Sequence, residues 1–309
     1  MLTVDTFLTT LYVIADDFCK TELPPVAMRP GPRPALTPSE VITLAVFGQW
    51  RQFHSERAFY RYAQQHLRQA FPTLPDRAQF NRLLRQQIDT LNLFFHHLVA
   101  RLQARQVPYE TLDGMGVATR NAKRRGAGHL PQLADIGWSN RLGWYEGFHV
   151  LTAVNPDGIV TGFGFAPAST KDQPLADTFL AARAQPHPRL ASVGQRAIGP
   201  YAVDKGFEGA DWHQRWVQEY GAAVICPPKQ GERRVWPKRL RRWFAAIRQI
   251  VETAHEKLVD AFRLDSERPH ELAGFQARLS ATMVLHNFCI WLNDQLSRPR
   301  LAFVDLVDW

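Results

Sequence analysis

The fold is decided by two short apolar stretches, Thr111-Leu112-Asp113-Gly114-Met115 and Tyr201-Ala202-Val203-Asp204-Lys205-Gly206-Phe207. Both have the apolar and aromatic composition of buried strands, and each carries one aspartate. A carboxylate in or at the end of a core strand costs free energy unless a partner or a metal ion neutralises it. The alternative for each residue is a structural aspartate that caps the next helix. The pair therefore predicts a buried sheet with two candidate functional acids.

An α/β pattern extends outward from these stretches. The segments 148–154 and 159–163, joined by a Pro-Asp-Gly turn, predict a β-hairpin. The pattern also predicts helices over 172–184, 209–220, 238–262 and 274–296. A further strand is predicted over 222–226. This order predicts a sheet that begins with antiparallel strands and ends with parallel strands covered by helices.

The first hundred residues predict helices instead. Thr37-Pro38-Ser39-Glu40 has the cap, the first-turn proline and the glutamate of a capping box. Ser55 and Asp76 are candidate caps for helices over 56–68 and 77–98, separated by a turn with two prolines. We therefore divide the chain into an all-helical N-terminal domain (1–105), an α/β domain (106–297) and a C-terminal tail (298–309).

Charge and cysteine usage narrow the functional classes. The 309 residues include 37 Lys and Arg but only 29 Asp and Glu, so the net charge is positive. A positive net charge favours an anionic partner, and nucleic acid more than a membrane. Cys19, Cys226 and Cys289 are too few and too far apart for a disulfide framework or a paired cysteine metal site. The N-terminus lacks the basic region of a signal peptide, and no apolar run approaches the ~20 residues of a membrane span. We expect a cytoplasmic protein with no membrane partner.

A third candidate acid, Glu252, lies on the predicted helix 238–262. Arg248, Glu252 and His255 fall at the edge of its apolar face, which is formed by Leu240, Trp243, Phe244, Ile247, Ile250, Val251, Ala254 and Leu258. The ordinary alternative is an i,i+4 ion pair with Arg248. Two strand carboxylates and one helix carboxylate can converge at one sheet edge, where they would hold two Mg²⁺ or Mn²⁺ ions about 3.5–4 Å apart.

Basic clusters lie beside these acids. One leads into the helix of Glu252, interleaved with Trp236 and Trp243, and comprises Lys229, Arg233, Arg234, Lys238, Arg239, Arg241, Arg242 and Arg248. The other follows the Asp113 strand and comprises Arg120, Lys123, Arg124 and Arg125. Lys205 stands next to Asp204. These positions favour contact with DNA phosphates, and a solvated basic face is the alternative.

The predicted helix from residue 77 carries side chains able to read base edges, namely Arg77, Gln79, Asn81, Arg82 and Arg85. With the preceding helix it resembles a helix-turn-helix with a long turn, and a plain packing domain is the alternative. The histidines His96, His97 and His149 are interpreted as structural, because adjacent helical residues point in different directions and His149 stands alone in a strand.

Several motifs taken together resemble the DDE transposases of bacterial insertion sequences, over residues 37–293. The matching pieces are Leu112-Asp113, Tyr145-Glu146-Gly147-Phe148-His149-Val150, Asp157-Gly158, Ala168-Ser169-Thr170-Lys171-Asp172, Val203-Asp204-Lys205-Gly206-Phe207, Arg248-Gln249-Ile250-Val251-Glu252-Thr253 and His286-Asn287-Phe288-Cys289-Ile290. The resemblance implies a ribonuclease H-like mixed sheet flanked by helices. It also implies that Asp113, Asp204 and Glu252 form the catalytic triad that binds two Mg²⁺ or Mn²⁺ ions.

The same resemblance implies cut-and-paste transposition of an insertion sequence, by hydrolysis at the 3′ ends of the element and strand transfer. The expected partners are double-stranded DNA, as terminal inverted repeats and target, and a second copy of the chain on that DNA, in a cytoplasmic, nucleoid-associated protein. The alternatives are a domesticated nuclease that cuts without joining and a catalytically inactive, sequence-specific DNA-binding protein.

Two features depart from the best-known relatives. Many of them carry a Tyr and a Lys in the pattern Y-x2-R-x3-E-x6-K, where this chain has Ala245 and Val259 around Arg248 and Glu252. In addition, only 48 positions separate Asp204 from Glu252, which leaves no room for the β-rich insertion that some relatives place there. The chain therefore lies off the best-known branch.

Overall fold

The structure is a computed structural model that describes residues 1–24, 34–104, 106–123, 130, 133–228, 236–266 and 268–309. Its contacts form two compact units. One, the α/β unit, is Val99–Lys257, and the other, the helical unit, combines Met1–Leu98 with Leu258–Trp309. The last helix therefore packs within the helical unit, although the sequence grouped 274–296 with the α/β domain. The functional domain boundaries at 105 and 297 stay a prediction.

The elements in chain order follow the sequence pattern closely. The helices are α1 (Val4–Thr21), α2 (Pro38–Phe47), α3 (Glu56–His66), α4 (Arg77–Gln86), α5 (Ile88–Arg101), α6 (Asp172–Ala184), α7 (Ala210–Tyr220), α8 (Lys238–Asp260) and α9 (Leu272–Gln295). The strands are β1 (Leu2–Thr3), β2 (Glu110–Asn121), β3 (Asp135–Ser139), β4 (Gly143–Val154), β5 (Val160–Pro167), β6 (Tyr201–Val203), β7 (Val224–Ile225) and β8 (Val307–Asp308).

The α/β unit is built on a mixed sheet with the order β3-β4-β2-β6-β7, in which β5 also pairs with β4. Strands β2, β3 and β5 run antiparallel to β4, whereas β2, β6 and β7 run parallel to one another. This confirms the predicted change from antiparallel to parallel pairing. Strand β3 was not predicted, because its side chains are mostly exposed, Ile136 and Trp138 included, and an edge strand of this kind lacks a clear apolar alternation.

Helices α6 and α7 cover the parallel half of this sheet. Leu112, Val203, Phe179, Leu180 and Trp216 are among the residues of the resulting apolar cluster, and all five are at most 2 % exposed. Burial of side chains this large contributes about 1.5–3 kcal/mol each. Leu112 and Val203, which directly precede Asp113 and Asp204, belong to this cluster, so its packing supports the backbone next to both acids.

A buried ion pair ties α6 to the start of β2. Arg183 is 2 % exposed, and its guanidinium donates to Glu110 Oε2 at 2.5 Å and to the Tyr201 hydroxyl at 3.1 Å. Its Nε donates to the Val193 carbonyl oxygen at 2.6 Å. Because the buried charge of Arg183 is paired with that of Glu110, the two charges are compensated, and the hydrogen bond from Arg183 to Tyr201 links β2 to β6.

The helical unit is centred on α9, whose residues are buried along most of its length. Helices α2 and α4 pack on α9, and α1 packs on α2. An aromatic cluster surrounds Phe7. The centroid of its ring lies 5.2 to 5.9 Å from those of Phe47, Trp50 and Phe288. The short strands β1 and β8 pair in parallel and join the two ends of the chain within this unit.

The helix starts confirm the capping signals of the sequence. Thr37 and Glu40 form the predicted capping box, Ser55 accepts from the Ala58 N–H, and Asp76 accepts from the first-turn amides of α4. The single helix over 77–98 was wrong, since Gln87 separates α4 from α5. Apolar residues recur at helical spacing across the break, so periodicity alone could not reveal it.

Within the described part of the chain, no helix is long and apolar enough to cross a membrane. Cys19, Cys226 and Cys289 are not joined in disulfides.

Candidate active site

The register of the parallel strands brings two acids side by side. Leu112 in β2 pairs with Val203 in β6, so the next residues, Asp113 and Asp204, are neighbours on adjacent strands. Asp113 lies within β2, and Asp204 directly follows β6. The sequence predicted both acids on strands, and the pairing brings them to one place.

Asp113 is mostly buried, and burial raises its pKa. Its Oδ1 accepts from the Gly114 N–H at 3.0 Å, and its Oδ2 lies 3.5 Å from Arg248 Nη2. Burial raises the pKa of Asp113 to about 7, although Arg248 opposes the rise, while the negative charge of Asp204 adds to it. A carboxylate that resists ionisation unless a cation is near is typical of functional sites.

Asp204 shows the capping role that the sequence offered as its alternative. Its Oδ1 accepts from the Gly206 N–H at 2.5 Å and caps the 3-10 helix Lys205–Phe207. Capping fixes the direction of the carboxylate beside Asp113. A structural and a functional role are therefore compatible at this residue.

Glu252 lies on helix α8, one turn after Arg248. Arg248 Nη2 lies 3.8 Å from Glu252 Oε1, in the i,i+4 pair expected as the ordinary alternative, and the Glu252 side chain is 62 % exposed. Because the same Nη2 also faces Asp113, the guanidinium lies between these two acids. The predicted apolar face of α8 was wrong at its N-terminal end, where Leu240 and Trp243 are 38 % and 55 % exposed.

A hydrogen bond anchors α8 to the sheet next to Asp113. Thr152, the partner of Asp113 across the β2–β4 pair, shares a hydrogen bond of 2.7 Å between its Oγ1 and His255 Nε2. Thr152 is buried, as are Val251 and Ala254 on the same face of α8. The sequence placed His255 at the edge of this face but gave it no partner.

The structure adds an acid and a histidine that sequence reasoning did not assign to the site. A Cβ built on Gly206 would lie 2.2 Å from Asp172 Oδ2 and 2.8 Å from Asp204 Oδ1, so the carboxylates of Asp172 and Asp204 lie close together beside Gly206. Burial raises the pKa of Asp172, His149 opposes the rise, and Asp204 adds to it. The signal was present, since Asp172 belongs to one of the motifs quoted for the resemblance.

The ring of His149 lies between the backbone of Thr170 and the carboxylate of Asp172. Its Nδ1 donates to the Thr170 carbonyl oxygen at 2.9 Å, and its Nε2 lies 3.4 Å from Asp172 Oδ1. Because Nδ1 is the donor, Nε2 carries a proton only when the ring is charged. A Cβ on Gly114 would lie 2.1 Å from His149 Nε2, so the glycine after Asp113 leaves room for this ring.

The acids at this site supply oxygen donors of the kind that divalent cations bind. Within the described residues, no group of three or more Asp, Glu, His or Cys side chains is arranged to hold a metal ion. The side chains of Asp113, Asp204 and Glu252 nevertheless offer only carboxylate oxygens, which hard ions such as Mg²⁺ prefer. Arg248 already places a positive charge between Asp113 and Glu252. The oxygen donors of these acids are therefore of the kind that a hard divalent cation binds, whereas the charge between Asp113 and Glu252 is already partly compensated by Arg248.

Several of the predicted DNA contacts are exposed on the surface of the α/β unit. Lys238, Arg239, Arg241 and Arg242 are exposed in the first two turns of α8, which contain no acid, and Trp243 is exposed among them. Lys205 is exposed next to Asp204, and Lys123 is exposed after β2. Cations at a helix N-terminus add to the positive end of the helix dipole.

Other predicted contacts have different surroundings. Arg120 belongs to β2, its side chain is 9 % exposed, and its Nε lies 3.7 Å from Glu146 Oε2. In the helical unit, Arg77 and Arg82 are exposed on α4, and Arg85 pairs with Glu271 at 3.0 Å. Arg124, Arg125, Arg233 and Arg234 lie outside the described residues.

A mixed sheet flanked by helices, with two aspartates on adjacent parallel strands, defines the α/β unit as a ribonuclease H-like fold. The sequence matches the transposase DDE domain over residues 111–288, more than half of the chain, which includes Asp113, Asp172, Asp204 and Glu252. The chain therefore belongs to the DDE transposase family. No curated protein matches it at a significant level.

Proposed function

We propose that this protein is a cut-and-paste DNA transposase in which Asp113, Asp204 and Glu252 are the catalytic carboxylates. The observation that carries the proposal is the strand register, in which Leu112 pairs with Val203 so that Asp113 and Asp204 are neighbours. Family membership and the position of Glu252 on α8, near Arg248 and Asp113, support the same assignment.

The proposed reaction has two steps on DNA. In the first, a water oxygen bonds to the phosphorus at each end of the element, and the bond to the 3′ oxygen breaks to leave a 3′-OH. In the second, that 3′-OH bonds to a phosphorus of the target DNA and displaces the 3′ oxygen of the target strand. Two Mg²⁺ or Mn²⁺ ions held by Asp113, Asp204 and Glu252 would activate the attacking oxygen and stabilise the leaving oxygen.

The side chains around the acids have separate tasks in this proposal. Arg248 helps to keep Asp113 ionised, because its positive charge lowers the pKa of that carboxyl. Asp172 adds negative charge beside Asp204, and His149 holds Asp172 in place through a contact of 3.4 Å. Thr152 and His255 fix α8, and thereby Glu252, against β4 through their 2.7 Å hydrogen bond.

The DNA contacts follow from exposed positive charge. The start of α8, with Lys238, Arg239, Arg241 and Arg242, would bind backbone phosphates near the acids, and Lys123 and Lys205 would extend this surface. We include Arg120, Arg124, Arg125, Arg233 and Arg234 in the same proposed set. In the helical unit, Arg77, Arg82 and Arg85 would bind the terminal inverted repeats. Because two element ends must be joined, the active form would be a homodimer on DNA, associated with the nucleoid.

The test is cleavage of a supercoiled plasmid that carries the gene with its flanking chromosomal DNA. Wild type is compared with Asp204→Asn and with Asp211→Asn, which removes an exposed acid from the first turn of α7. We expect nicking at the element ends in Mg²⁺ or Mn²⁺ but not in EDTA, loss of nicking in Asp204→Asn, and retention in Asp211→Asn.

The same assay distinguishes the alternatives. Nicking without joined products in the presence of target plasmid would indicate a nuclease that cuts but does not join. Tight, salt-dependent binding with no cleavage in either metal would contradict the enzymatic proposal and indicate a DNA-binding protein.

A further inference from the structure

The hairpin of β3 and β4 exposes two tryptophans at the edge of the sheet. Trp138 and Trp144 are cross-strand partners in this hairpin, and they are 57 % and 66 % exposed. Ile136 is 50 % exposed and lies two residues before Trp138, so it is on the same face of β3. Ile136, Trp138 and Trp144 together form the hairpin patch. Contiguous exposed apolar side chains of this size commonly mark an interaction site.

The backbone of β3 is open as well. The strand order β3-β4-β2-β6-β7 places β3 at the end of the sheet, and within the described residues no strand other than β4 pairs with it. An open edge can pair with a strand of another chain, and proteins usually prevent this with prolines, bulges or charges in the edge strand. The stretch Ile136-Gly137-Trp138 has none of these, so β3 can accept a further strand.

The opposite face of β3 is closed to a partner. A Cβ built on Gly137 would lie 2.4 Å from the carbonyl oxygen of Ala168, so the chain after β5 covers this face. Side chains alternate between the two faces of a strand, so Ile136 and Trp138 point away from Ala168. A partner must therefore meet β3 along its outer edge and along the face of the hairpin patch.

The charge of the hairpin favours a protein partner over DNA. The whole chain has a formal charge of +8, but residues 135–146 contain the two acids Asp135 and Glu146 and one cation, Arg141. Negative charge at this position disfavours contact with a phosphate backbone. Two copies of a chain that is positive overall repel each other least where the local charge is not positive. The local charge therefore suits a second copy of the chain.

The edge of β3 is also complementary to itself. Antiparallel pairing about a two-fold axis at Gly137 would place Ile136 opposite Trp138 of the partner subunit, and Trp138 opposite the partner's Ile136. A two-fold dimer requires this self-complementarity, because both copies present the same surface. Direct cross-strand pairs of an aromatic and a β-branched residue also stabilise antiparallel sheets.

The exposed area indicates a weak dimer. A tryptophan can bury up to about 250 Å², so the exposed parts of Trp138 and Trp144 present roughly 300 Å² together. Stable interfaces bury about 800 Å² on each partner. The hairpin patch and the edge of β3 therefore suit a contact that is weak in free solution. Binding of two copies to one DNA would strengthen it by raising their local concentration.

We propose that the edge of β3 and the hairpin patch form the interface between two copies of this chain. The dimer is weak in free solution and becomes tighter when both copies bind one DNA. The need for two copies on DNA rests on the proposed function. The self-pairing of β3 does not, because it follows from the open sheet edge, the exposed side chains and the local charge.

The test compares wild type with the patch variant, Ile136→Thr combined with Trp138→Thr, which removes apolar area but keeps residues that favour strands. The matched control is Ile198→Thr combined with Val304→Thr. Ile198 and Val304 are 77 % and 80 % exposed, and both lie outside the helices and strands. Sedimentation equilibrium without DNA measures the dissociation constant of the dimer. Hydrogen exchange of wild type at several protein concentrations locates the interface.

We expect a micromolar dissociation constant for wild type and for the control. The patch variant should dimerise about tenfold or more weakly, since a buried tryptophan commonly dominates the binding energy of an interface. In wild type, the amides of β3 should exchange more slowly as the protein concentration rises. Wild type that stays monomeric throughout the micromolar range would overturn the proposal, and so would dimerisation that leaves the exchange of β3 unchanged.

A DNA-binding assay covers the other occupant of this surface. The probe is a fluorescent DNA fragment that contains the chromosomal sequence flanking the gene. If the patch variant dimerises like wild type but binds this fragment more weakly, the hairpin patch contacts DNA and the proposed dimer interface is wrong. Sedimentation and hydrogen exchange require neither DNA nor metal, so their results would hold even if the protein had no transposase activity.

Discussion

The guanidinium of Arg248 lies 3.5 Å from the carboxylate of Asp113, which joins helix α8 to strand β2 at the candidate active site. The same Nη2 lies 3.8 Å from Glu252. Arg248 lowers the pKa of Asp113, which burial raises. The residue is therefore placed to control the charge of one proposed catalytic carboxylate and the position of another.

Replacing Arg248 with Gln should move the ionisation of Asp113 to higher pH, because the variant loses the cation that lowers this pKa. We expect DNA cleavage at pH 7 to fall about tenfold or more, with partial recovery at pH 9, since one pKa unit corresponds to about 1.4 kcal/mol. Cleavage rates across pH measure this. Arg248→Lys retains the charge and should keep a pH profile near that of wild type. Gln249→Ala, a change at an exposed neighbour on α8, should do the same.

Asp113 also makes the stability of the protein depend on pH. Its pKa is about 7 in the folded state, above the ordinary aspartate pKa of about 3.9, so the folded chain binds more protons than the unfolded chain between these two pH values. The free energy of unfolding should therefore fall as the pH rises from about 4 to 7, by on the order of a few kcal/mol. In EDTA, Asp113→Asn should raise the Tm at pH 8 but change it little at pH 4. An equal rise at both pH values would contradict the assignment.

The local signals of the sequence predicted most elements of the fold. Composition marked the strands of Asp113 and Asp204, and the capping pattern at Thr37 marked the start of α2, because both depend on residues close in the chain. The pairing of Leu112 with Val203 depends on contacts across 91 positions, and no local pattern encodes it. The sequence could place the two aspartates on strands but could not give their register.

The candidate site shows the same limit. Asp172 was visible as part of a motif, yet its closeness to Asp204 depends on how α6 begins beside the turn at Gly206. Arg120 was predicted to follow the Asp113 strand, and the longer β2 includes it and places it beside Glu146. In both cases tertiary packing decides which partner a charged side chain meets.

Gly206 provides a test of the acid cluster that leaves every carboxylate in place. In Gly206→Ala, the new Cβ would lie 2.2 Å from Asp172 Oδ2 and 2.8 Å from Asp204 Oδ1, so at least one carboxylate must move. We expect DNA cleavage to fall about tenfold or more, while far-ultraviolet circular dichroism stays unchanged, because small displacements at an active site have large kinetic effects. The measurement is the single-turnover cleavage rate.

The matched control is Gly164→Ala in β5. Its Cβ would meet Phe179 at 3.4 Å, an ordinary van der Waals distance, and no acid of the candidate site. Its cleavage rate should stay near that of wild type. A similar loss in both variants would show that the effect at Gly206 is general destabilisation and not displacement of the acids.

The hydrogen bond between Thr152 and His255 should couple the stability of α8 to its catalytic role. Thr152→Val removes the hydroxyl but keeps the side-chain shape, and it should cost about 1–2 kcal/mol of unfolding free energy, because Thr152 is buried. His255→Ala should cost a similar amount. The double variant should cost less than the two together, by about 1 kcal/mol, if the bond is direct.

The cleavage rates of the same variants show whether the Thr152–His255 hydrogen bond positions Glu252 or only stabilises the fold. Thr253→Val, on the same helix, removes a hydroxyl whose hydrogen bond to the Gln249 carbonyl oxygen stays within α8, so it should leave cleavage near the wild-type rate. Thr152→Val should lower cleavage even well below its Tm, because α8 carries Glu252 one turn before His255. Full activity in Thr152→Val, with the expected loss of stability, would restrict the bond to a structural role. In that case, Glu252 would be positioned by Arg248 and the buried face of α8.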